Sequence, residues 1–596
     1  MLFGKYVNKF YKKYFLFFLI GIIALLAVDW FQLEIPKICG EIIDGVQNGT
    51  LFESEGVRIL SQHMIYLGVI AIIMFSGRFT WRYCIFGVAA RIEGDIREDM
   101  FAHSLSLSHQ FYKENKVGGL MALFTNDLQT IRQAFGGGTV MLIDAIFLGS
   151  FALVKMLMLN WILALLSLIP MIIIVLISTV VGKMMKMKFK LRQEAYEELS
   201  DFAQENFSGI SVIKAFVKEI IEVKHFAKIN KKNYDKNIAY LRFSILLDVL
   251  LTMMITLIIA LLVGGGAYFV IMEKEFMGQL FTTGKLFEFV AYFDTLVWPF
   301  MAISMLIQMR AQAYASYSRI AEFMDQKIDI VDVDVEDVDK IQGKIEFRNL
   351  NFKYPDADID VLHNISFTIE AGQMVGIIGK TGCGKTTVVD LLLRTYNLHD
   401  GELYIDDKDI MHIPYKKVRD SIGYVPQDNF LFSDTITNNI AFSHLEPEGL
   451  DEEVMEAAKM ADVHDNITDF EDKYNTVLGE RGVTLSGGQK QRVSIARALI
   501  KDPAILIFDD SVSAVDTDTE SKILANLRRV RVGKTTIMIA HRISTVENLD
   551  KIIVMDEGRI ESIGNHDELM KTSKLYQEMY HLQELEKEVE GGDVNE

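Results

Sequence analysis

The residues best placed to do chemistry form a short glycine-rich run, Gly379-Lys380-Thr381-Gly382-Cys383-Gly384-Lys385-Thr386. It follows the apolar stretch 374–378 and precedes the helix-like stretch 387–393. Glycines in this strand–loop–helix setting let backbone N–H groups approach phosphate oxygens, and the start of the helix adds its positive dipole end. Lys385 can reach the β and γ phosphates, and the Thr386 hydroxyl can ligate Mg²⁺. The spacing therefore predicts a phosphate-binding loop for a nucleoside triphosphate with Mg²⁺.

Two further apolar stretches end in polar residues that suit the same site. Residues 504–508 lead into Asp509 and Asp510, and residues 536–540 lead into His541. In P-loop NTPases, an apolar strand delivers the aspartate that holds the Mg²⁺ shell. Because the carboxyl ends of parallel strands meet at one edge of a sheet, these side chains should lie together. We therefore expect Asp509 to be a magnesium ligand with Asp510 and His541 beside it.

The composition of the chain excludes several classes of protein. Half of the 596 residues are hydrophobic and 24% are charged, and the mean hydropathy is +0.20. A chain this apolar is neither disordered nor an ordinary soluble enzyme. Three cysteines exclude a disulfide scaffold. The net charge of −19 gives no electrostatic support to a nucleic-acid partner, so none is expected.

The apolar residues are concentrated before residue 310. A helix of about 20 mostly apolar residues crosses a bilayer core. Such a helix is predicted for six segments, near 14–36, 63–89, 139–159, 162–182, 243–272 and 286–309. The first is too long for a signal peptide and has no cleavage site after it, so it is expected to be retained.

The charges of the loops predict the orientation of these segments. The stretch 183–240 carries twelve Lys and Arg residues, whereas 37–62 carries only Lys37 and Arg58. Basic loops stay in the cytoplasm, which predicts a multi-pass protein of the cell membrane with its N-terminus inside. The polar inner loops, 90–138 and 183–242, have few helix breakers. We expect the membrane helices to continue through them into the cytoplasm.

Several ionisable residues interrupt the apolar segments. Because a charge within a bilayer is costly, each of these residues marks a candidate functional site. A structural role is favoured for Asp144 and Lys155, and Lys155 is close enough to a segment end to reach the interface. For Asp29, Asp248 and Asp294, a structural role and a place in a water-filled cavity stay open.

The run Leu485-Ser486-Gly487-Gly488-Gln489-Lys490-Gln491-Arg492, some twenty residues before Asp509, resembles the signature motif of ABC transporters. Over about residues 15–577, the chain resembles a half-size ABC exporter. The fold that this resemblance implies is an all-α six-helix transmembrane domain of exporter type, fused to an α/β P-loop ATPase domain with an α-helical signature subdomain. The implied divisions are a transmembrane domain at 1–325, an acidic linker at 326–342, a nucleotide-binding domain at 343–580 and an acidic tail at 581–596.

The resemblance assigns roles to further residues. Tyr354 resembles the aromatic residue that stacks on adenine, Gln427 resembles the Q-loop glutamine that touches Mg²⁺, and His541 resembles the switch histidine at the γ-phosphate. The stretches 479–482 and 513–516 resemble the exporter-specific loop and the D-loop, and 111–118 and 209–216 resemble the cytoplasmic coupling tips. The catalytic candidates are Asp510, His541 and Gln427, and the metal candidates are Thr386, Gln427 and Asp509. The candidates for ATP binding are Tyr354, Gly379, Lys380, Thr381, Gly382, Cys383, Gly384, Lys385, Thr386, Thr387, Ser486, Gly487, Gly488 and Gln489.

The chain departs from the family pattern at Asp510, where the family usually has a glutamate that activates the attacking water. The shorter side chain withdraws the carboxylate by about 1 Å, and a misplacement of that size can slow a reaction about a hundredfold. In the family, the site of each chain is completed by the signature of the other. The resemblance therefore implies a site that binds ATP and hydrolyses it slowly, as in one half of a heterodimeric bacterial multidrug exporter. A homodimer in which Asp510 serves adequately is the alternative.

The expected partners are a second half-transporter subunit, membrane lipid and an amphipathic small-molecule substrate, and the expected cofactors are ATP and Mg²⁺. A lipid or peptide cargo is an alternative, although nothing before residue 14 could be a peptidase domain. A regulatory or channel-like ATP-gated subunit is a further alternative, supported by Asp510 alone.

Overall fold

The computed structural model describes residues 4–53, 55–273, 275–276, 279–444, 446, 449–479, 482, 484–511 and 517–592. The chain forms two compact units. One unit comprises Met1–Ala102 and Gly118–Asp325, and the other comprises His103–Val117 and Gln326–Glu596.

The first unit consists almost entirely of long helices. Short π-helical stretches at Leu123–Asp127 and Asp144–Leu148 interrupt one of the spans, and the strands β1 (Glu275–Phe276) and β2 (Gln279–Leu280) form a small hairpin. The helices of this half of the chain are α1 (Asn8–Lys13), α2 (Phe15–Gln47), α3 (Gly56–Ser106), α4 (His109–Glu114), α5 (Val117–Ala122), α6 (Leu128–Phe135), α7 (Gly137–Ile143), α8 (Gly149–Leu159), α9 (Trp161–Ser208), α10 (Ile210–Ala215), α11 (Glu219–Ile271) and α12 (Thr283–Met324).

Each of the six predicted membrane segments lies in helix. Among the described residues, five helical spans are long and apolar enough to cross a membrane: Phe15–Gln47, Gly56–Ser106, Val117–Leu159, Glu219–Ile271 and Thr283–Met324. The remaining segment lies in α9, which begins with the apolar stretch Trp161–Pro170. The prediction that helices continue through the long polar loops is confirmed, because α3, α9 and α11 run for 51, 48 and 53 residues.

Lys155 does not extend to a helix end as the sequence suggested. Its Nζ lies 2.6 Å from Glu34 Oε1, and both side chains are largely buried. The ammonium also lies over the rings of Trp30 and Tyr292, at 5.5 and 5.6 Å from their centroids. A carboxylate on a neighbouring helix thus satisfies this charge inside the bundle, which is a structural role.

The second unit is an α/β domain with helices around two sheets. Its strands are β3 (Ile345–Phe352), β4 (Leu362–Ile369), β5 (Met374–Gly379), β6 (Leu403–Ile405), β7 (Lys408–Asp409), β8 (Ile422–Val425), β9 (Ile505–Asp509), β10 (Thr535–Ile539), β11 (Lys551–Asp556) and β12 (Arg559–Gly564). Its helices after the linker are α13 (Lys385–Leu392), α14 (Tyr415–Ser421), α15 (Ile436–Ile440), α16 (Asp451–Met460), α17 (His464–Thr468), α18 (Gly487–Leu499), α19 (Thr517–Val530), α20 (Ile543–Val546), α21 (His566–Thr572) and α22 (Lys574–Gly592).

The larger sheet brings the predicted strand ends together. Its order is β12-β11-β5-β10-β9-β8, and all neighbours are parallel except β12, which runs antiparallel to β11. The strands β9 and β10 are fully buried, as expected for apolar strands covered on both faces. Ile539 pairs with both Ile377 and Asp509, so the ends of β5, β9 and β10 lie at the same edge. The smaller sheet has the antiparallel order β4-β3-β6-β7.

The segment 103–117, which contains α4, packs within the second unit. Ser108 and Gln110 are buried. The Ser108 hydroxyl donates to Asp329 Oδ2 at 3.0 Å, and the Tyr396 hydroxyl donates to Gln110 Oε1 at 3.5 Å. These contacts attach a segment from the membrane half of the sequence to the α/β domain.

The acidic stretch 326–342 is irregular and largely exposed, and Asp332 is one of the residues that anchor it. Asp332 Oδ1 accepts hydrogen bonds from the Arg394 guanidinium at 3.2 Å and from the Tyr415 backbone N–H at 2.9 Å. Arg394 is fully buried. Asp332 therefore satisfies a buried cation in the domain that follows the linker.

Candidate functional site

The predicted phosphate-binding loop joins β5 to α13 and depends on glycine at several positions. Gly382 and Gly384 have φ angles of +83° and +96°, in the left-handed region that favours glycine. A Cβ on Gly384 would lie 2.6 Å from Leu362 Cδ2, and one on Gly379 would lie 2.1 Å from the Met555 carbonyl oxygen. Glycine at these positions is therefore required for the close-packed shape of the loop, which places backbone N–H groups at the start of α13.

Lys385 is buried inside this loop. Its ammonium donates to the carbonyl oxygens of Gly379 at 2.8 Å and Lys380 at 3.0 Å. Burial lowers the pKa of Lys385, because these neutral acceptors compensate only part of its lost hydration. Phosphate oxygens would supply the missing negative charge. Lys380 and Thr381 lie on the exposed outer turn.

Cys383 lies beside this lysine, with its Sγ 3.9 Å from the Lys385 ammonium. It is buried, and burial raises the pKa of its thiol. The side chain therefore acts as a small apolar filler of the loop at neutral pH.

Thr386 and Asp509 form an oxygen pair suited to a divalent cation. The Thr386 hydroxyl donates to Asp509 Oδ1 at 3.2 Å, and the Tyr424 hydroxyl donates to Asp509 Oδ2 at 3.3 Å. Asp509 is buried, and burial raises its pKa. Hydroxyl and carboxylate oxygens are the ligands that Mg²⁺ prefers, and a cation would relieve the uncompensated charge. The residues therefore fit the implied magnesium ion.

Asp510 lies among the other catalytic candidates. Its Oδ2 accepts a hydrogen bond from Gln427 Nε2 at 3.4 Å and lies 4.0 Å from His541 Nε2. The backbone of Asp510 has a φ of +47°, a conformation that aspartate tolerates better than most residues. Its N–H is held by the Ile539 carbonyl at 3.0 Å. The sheet thus brings together the three residues predicted to be catalytic.

Tyr354 lies next to the start of α13. Its hydroxyl shares a hydrogen bond of 2.8 Å with Thr387 Oγ1. The ring packs edgewise on Phe352 and Tyr396, with centroid distances of 5.1 and 5.2 Å, and Lys113 Nζ lies 4.7 Å from its centroid. An aromatic ring thus stands within reach of the loop, and its role in stacking on adenine stays a prediction.

The signature residues form the first turn of α18. The Ser486 hydroxyl accepts from the Gln489 N–H, and Gln489 Oε1 accepts from the Ser486 N–H, which is a capping box. Ser486 and Gly487 are exposed, and Gly488 is half-buried. Among the described residues, no hydrogen bond joins this turn to the 379–387 loop. The turn therefore presents N–H groups and a positive dipole end to a group from outside the chain's own loop.

Sequence reasoning did not single out Tyr424 or Asp390. Tyr424 holds Asp509, as described above. Asp390 lies on α13, where burial raises its pKa to about 6, while His109 and Lys113 from the segment 103–117 act in the opposite direction. The spacing within α13 gave no signal for Asp390, because its neighbours come from a distant part of the chain. Two predicted motifs lie partly or wholly outside the described residues: residues 480–481 of the exporter-specific loop, and the D-loop at 513–516.

Comparison with known proteins gives a consistent result along the chain. Residues 18–300 match the ABC transporter transmembrane region, and residues 362–513 match the ABC transporter ATP-binding family. The chain is 36% identical over 592 residues to YheI of Bacillus subtilis, a probable multidrug resistance ABC transporter ATP-binding/permease protein, with 99% of each chain covered. It is 34% identical to the multidrug resistance-like ATP-binding protein MdlA of Escherichia coli, covering 99% of this chain and 97% of MdlA. A solved structure of a bacterial Atm1-family ABC exporter with ATP bound matches with a TM-score of 0.75 at 27% identity, covering 97% of this chain and 98% of that one.

Proposed function

The chain belongs to the ABC transporter family as an ATP-hydrolysing exporter of the half-size type, and from that premise we propose that it is the slow-site subunit of a heterodimeric multidrug exporter. The identified membrane and ATP-binding regions fit the helical unit and the α/β unit described above. The proposal goes further on three points: the nature of the partner, the activity of this chain's own ATP site, and the cargo.

ATP binding is proposed to use the residues at the edge of the larger sheet. The N–H groups of the 379–387 loop and the Lys385 ammonium would hold the phosphates, and Tyr354 would stack on the adenine. Thr386 and Asp509 would hold Mg²⁺, which when bound supplies positive charge against the phosphate oxygens. Phosphate oxygens would replace the two carbonyl oxygens that Lys385 now contacts.

A second chain is needed to complete this site. Half-size exporters of this family typically form dimers. Among the described residues of this chain, no hydrogen bond joins the exposed turn at Ser486 to the 379–387 loop. This supports the use of the turn to contact ATP that is bound by a partner chain. The tip that contains α10 supports the same arrangement, because Val212, Phe216 and Val217 are 59%, 70% and 80% exposed. An exposed apolar tip of this kind is typical of a surface that docks on another chain.

Asp510 is the observation that carries the proposal of a slow site. The carboxylate lies at the hydrogen-bonding limit from Gln427, at 3.4 Å, and 4.0 Å from His541. A carboxylate that is one methylene shorter than glutamate stands about 1 Å back from the water it must activate. We therefore propose that this chain retains its ATP while the partner's site turns over.

The cargo and the orientation follow from the membrane unit and the relatives. Relatives of the chain include multidrug resistance and putative multidrug export proteins. The membrane segments are also rich in Phe, Met and Leu, which suits an adaptable apolar pocket. We propose outward transport of amphipathic small molecules across the cell membrane. The basic loop 183–240 supports a cytoplasmic N-terminus and ATP domain.

The test is an ATPase measurement on the purified chain in lipid nanodiscs, alone and co-expressed with a candidate partner half-transporter from the same genome. Drug-stimulated turnover only in the mixture supports the heterodimer with a slow site. Brisk, drug-responsive turnover of this chain alone contradicts it and favours the homodimer. Turnover that responds to lipid but not to drugs favours a lipid cargo, and an inactive pair favours the regulatory alternative.

A further inference from the structure

Two buried carboxylates lie on helical elements of the membrane unit that pack against each other. Asp29 lies on α2, 14 residues after its first residue, and Asp144 lies 15 residues before the end of α8. Both are therefore about 20 Å along their helices from those ends. Because both side chains are buried among the helices, these carboxylates must be satisfied inside the bundle.

The burial of the pair is nearly complete. Asp29 is 3% exposed and Asp144 is 7% exposed. The stretch Asp144–Leu148 packs against α12 and against α2, the helix that carries Asp29. The protein therefore buries two acids on neighbouring helical elements, an arrangement that is costly unless a group of opposite charge joins them.

The hydrogen bonds of the pair are incomplete. Trp298 on α12 donates its indole N–H to Asp144 Oδ2 at 2.8 Å, which fixes the orientation of that carboxylate. In the part of the chain that the structure describes, the second oxygen, Oδ1, has no hydrogen-bond partner, and neither has Asp29 Oδ2. Lys155, the intramembrane cation on the same helical span as Asp144, is paired with Glu34 instead.

The local backbone is also unusual at this point. Asp144 begins a π-helical stretch that ends at Leu148, and π-bulges inside α-helices occur frequently at functional sites. Further along the same span, Phe151 packs edgewise against Trp30, with a centroid distance of 5.6 Å, and lies 6.2 Å from Phe147. Trp30 and Phe147 are partly exposed. Aromatic surfaces thus stand along the helices that carry the carboxylates.

From these observations we infer that Asp29 and Asp144 form the cation-binding subsite of the transport pathway, which takes the positively charged centre of an aryl-substituted amphiphile. The inference rests on the proposed exporter function and narrows its cargo to cations. Trp298 is a positioning residue that holds the Asp144 carboxylate toward the shared site. The rings of Trp30, Phe147 and Phe151 provide apolar and cation–π contacts for the aryl groups.

The test uses three phenyl-substituted probes that differ in charge: tetraphenylphosphonium and anionic tetraphenylborate, each with four phenyl groups, and neutral triphenylphosphine oxide, with three. Equilibrium dialysis against the full-length protein in nanodiscs, alone and with its co-expressed partner, measures their affinities. We expect the phosphonium to bind about tenfold more tightly than the neutral probe, because two buried carboxylates favour a cation. Equal affinities of the wild-type protein for the phosphonium and the borate would overturn the inference without any variant.

The isosteric variants Asp29→Asn and Asp144→Asn test the residues. Each should weaken phosphonium binding about tenfold and change binding of the neutral probe less than twofold. The matched control is Asp294→Asn, which removes an exposed carboxylate from α12 and should leave phosphonium affinity unchanged. If the folded Asp29→Asn and Asp144→Asn proteins bind the phosphonium as tightly as the wild type, the subsite is overturned. That result is expected if the two acids bind only a proton.

ATP-driven movement of the probes in vesicles separates this inference from the proposed function. Export of the neutral probe, together with unaltered phosphonium binding in the asparagine variants, would refute the subsite and leave the exporter standing. Charge-selective binding that depends on both aspartates, without ATP-driven movement of any probe, would support the cation-binding site and refute the proposed export of amphipathic small molecules.

Discussion

Replacing Asp510 by glutamate tests whether the length of one side chain limits the ATP site of this chain. In the structure, the carboxylate lies 3.4 Å from Gln427 and 4.0 Å from His541. The side chain starts from a backbone with a φ of +47° that is fixed by the end of β10 through the Ile539 carbonyl. The substitution therefore moves the carboxylate toward the γ-phosphate side without changing its starting point.

The expected gain follows from the distance involved. One methylene advances the carboxylate by about 1 Å, and correcting a misplacement of that size is worth up to about a hundredfold in rate. This corresponds to about 2.7 kcal/mol of activation free energy. An opposing effect comes from the left-handed backbone, which glutamate tolerates less well than aspartate, at a cost to folding of about 1 kcal/mol. The variant should thus hydrolyse ATP faster while its Tm falls by about 2–4 °C.

The assay isolates this site by measuring turnover in a complex whose partner carries an inactivating substitution of its own catalytic carboxylate. Asp510→Asn is the matched control, because it keeps the size of the side chain and removes its basicity. We expect turnover to rise about 10- to 100-fold with glutamate and to fall below the wild-type level with asparagine. Wild-type or lower turnover of a folded Asp510→Glu protein that binds ATP normally would refute the reasoning.

Three further predictions concern the loop and its neighbours. Cys383 is buried and burial raises the pKa of its thiol, so maleimide should label it more slowly at pH 7 than the more accessible Cys39. ATP should slow this labelling further, and the maleimide adduct should abolish nucleotide binding. Mass spectrometry follows the labelling and fluorescent-ATP titration measures the affinity; fast labelling without loss of affinity would contradict the prediction. Burial raises the pKa of Asp390 to about 6, so the ionised carboxylate costs stability that is absent below about pH 4 and complete above pH 6. Asp390→Asn should therefore raise the free energy of unfolding by about 1–3 kcal/mol at pH 8 and leave it unchanged at pH 4, as followed by urea unfolding; an equal gain at both pH values would contradict this origin. Tyr354→Ala should weaken ATP binding by about 1–3 kcal/mol, because the stacking contact with adenine is lost. Tyr354→Phe keeps the ring and releases the Thr387 hydroxyl, so this variant should bind ATP at least as tightly as the wild type. Equal losses of affinity in both variants would assign the effect to the tyrosine hydroxyl.

The sequence predicts those parts of the fold that follow from local patterns. A bilayer core requires about 20 apolar residues in a helix, so hydropathy alone locates the membrane helices. The glycine spacing of the 379–386 run and the apolar strands that lead to Asp509 and His541 predict one edge of a parallel sheet, and the register of β5, β9 and β10 agrees. These patterns depend on residues that are close in sequence.

The sequence does not predict contacts between residues that are far apart in the chain. Lys155 pairs with Glu34 across 121 residues, and nothing in either segment distinguishes this pair from a lysine that extends to the interface. The burial of Asp29 and Asp144 on neighbouring helical elements depends on how the helices pack, since each acid alone is compatible with several environments. The left-handed backbone of Asp510 is likewise imposed by its tertiary contacts.

The packing of the segment 103–117 within the second unit has a consequence for biosynthesis. Its buried residues find their partners only after the ribosome has made Tyr396, about 280 residues later, which takes roughly 15–60 s at 5–20 residues per second. During that interval Ser108 and Gln110 lack the hydrogen-bond partners that they have in the folded domain. The nascent chain therefore carries an incompletely packed segment for about half of its translation, and chaperones that bind such segments should influence the yield of this protein more than its final stability.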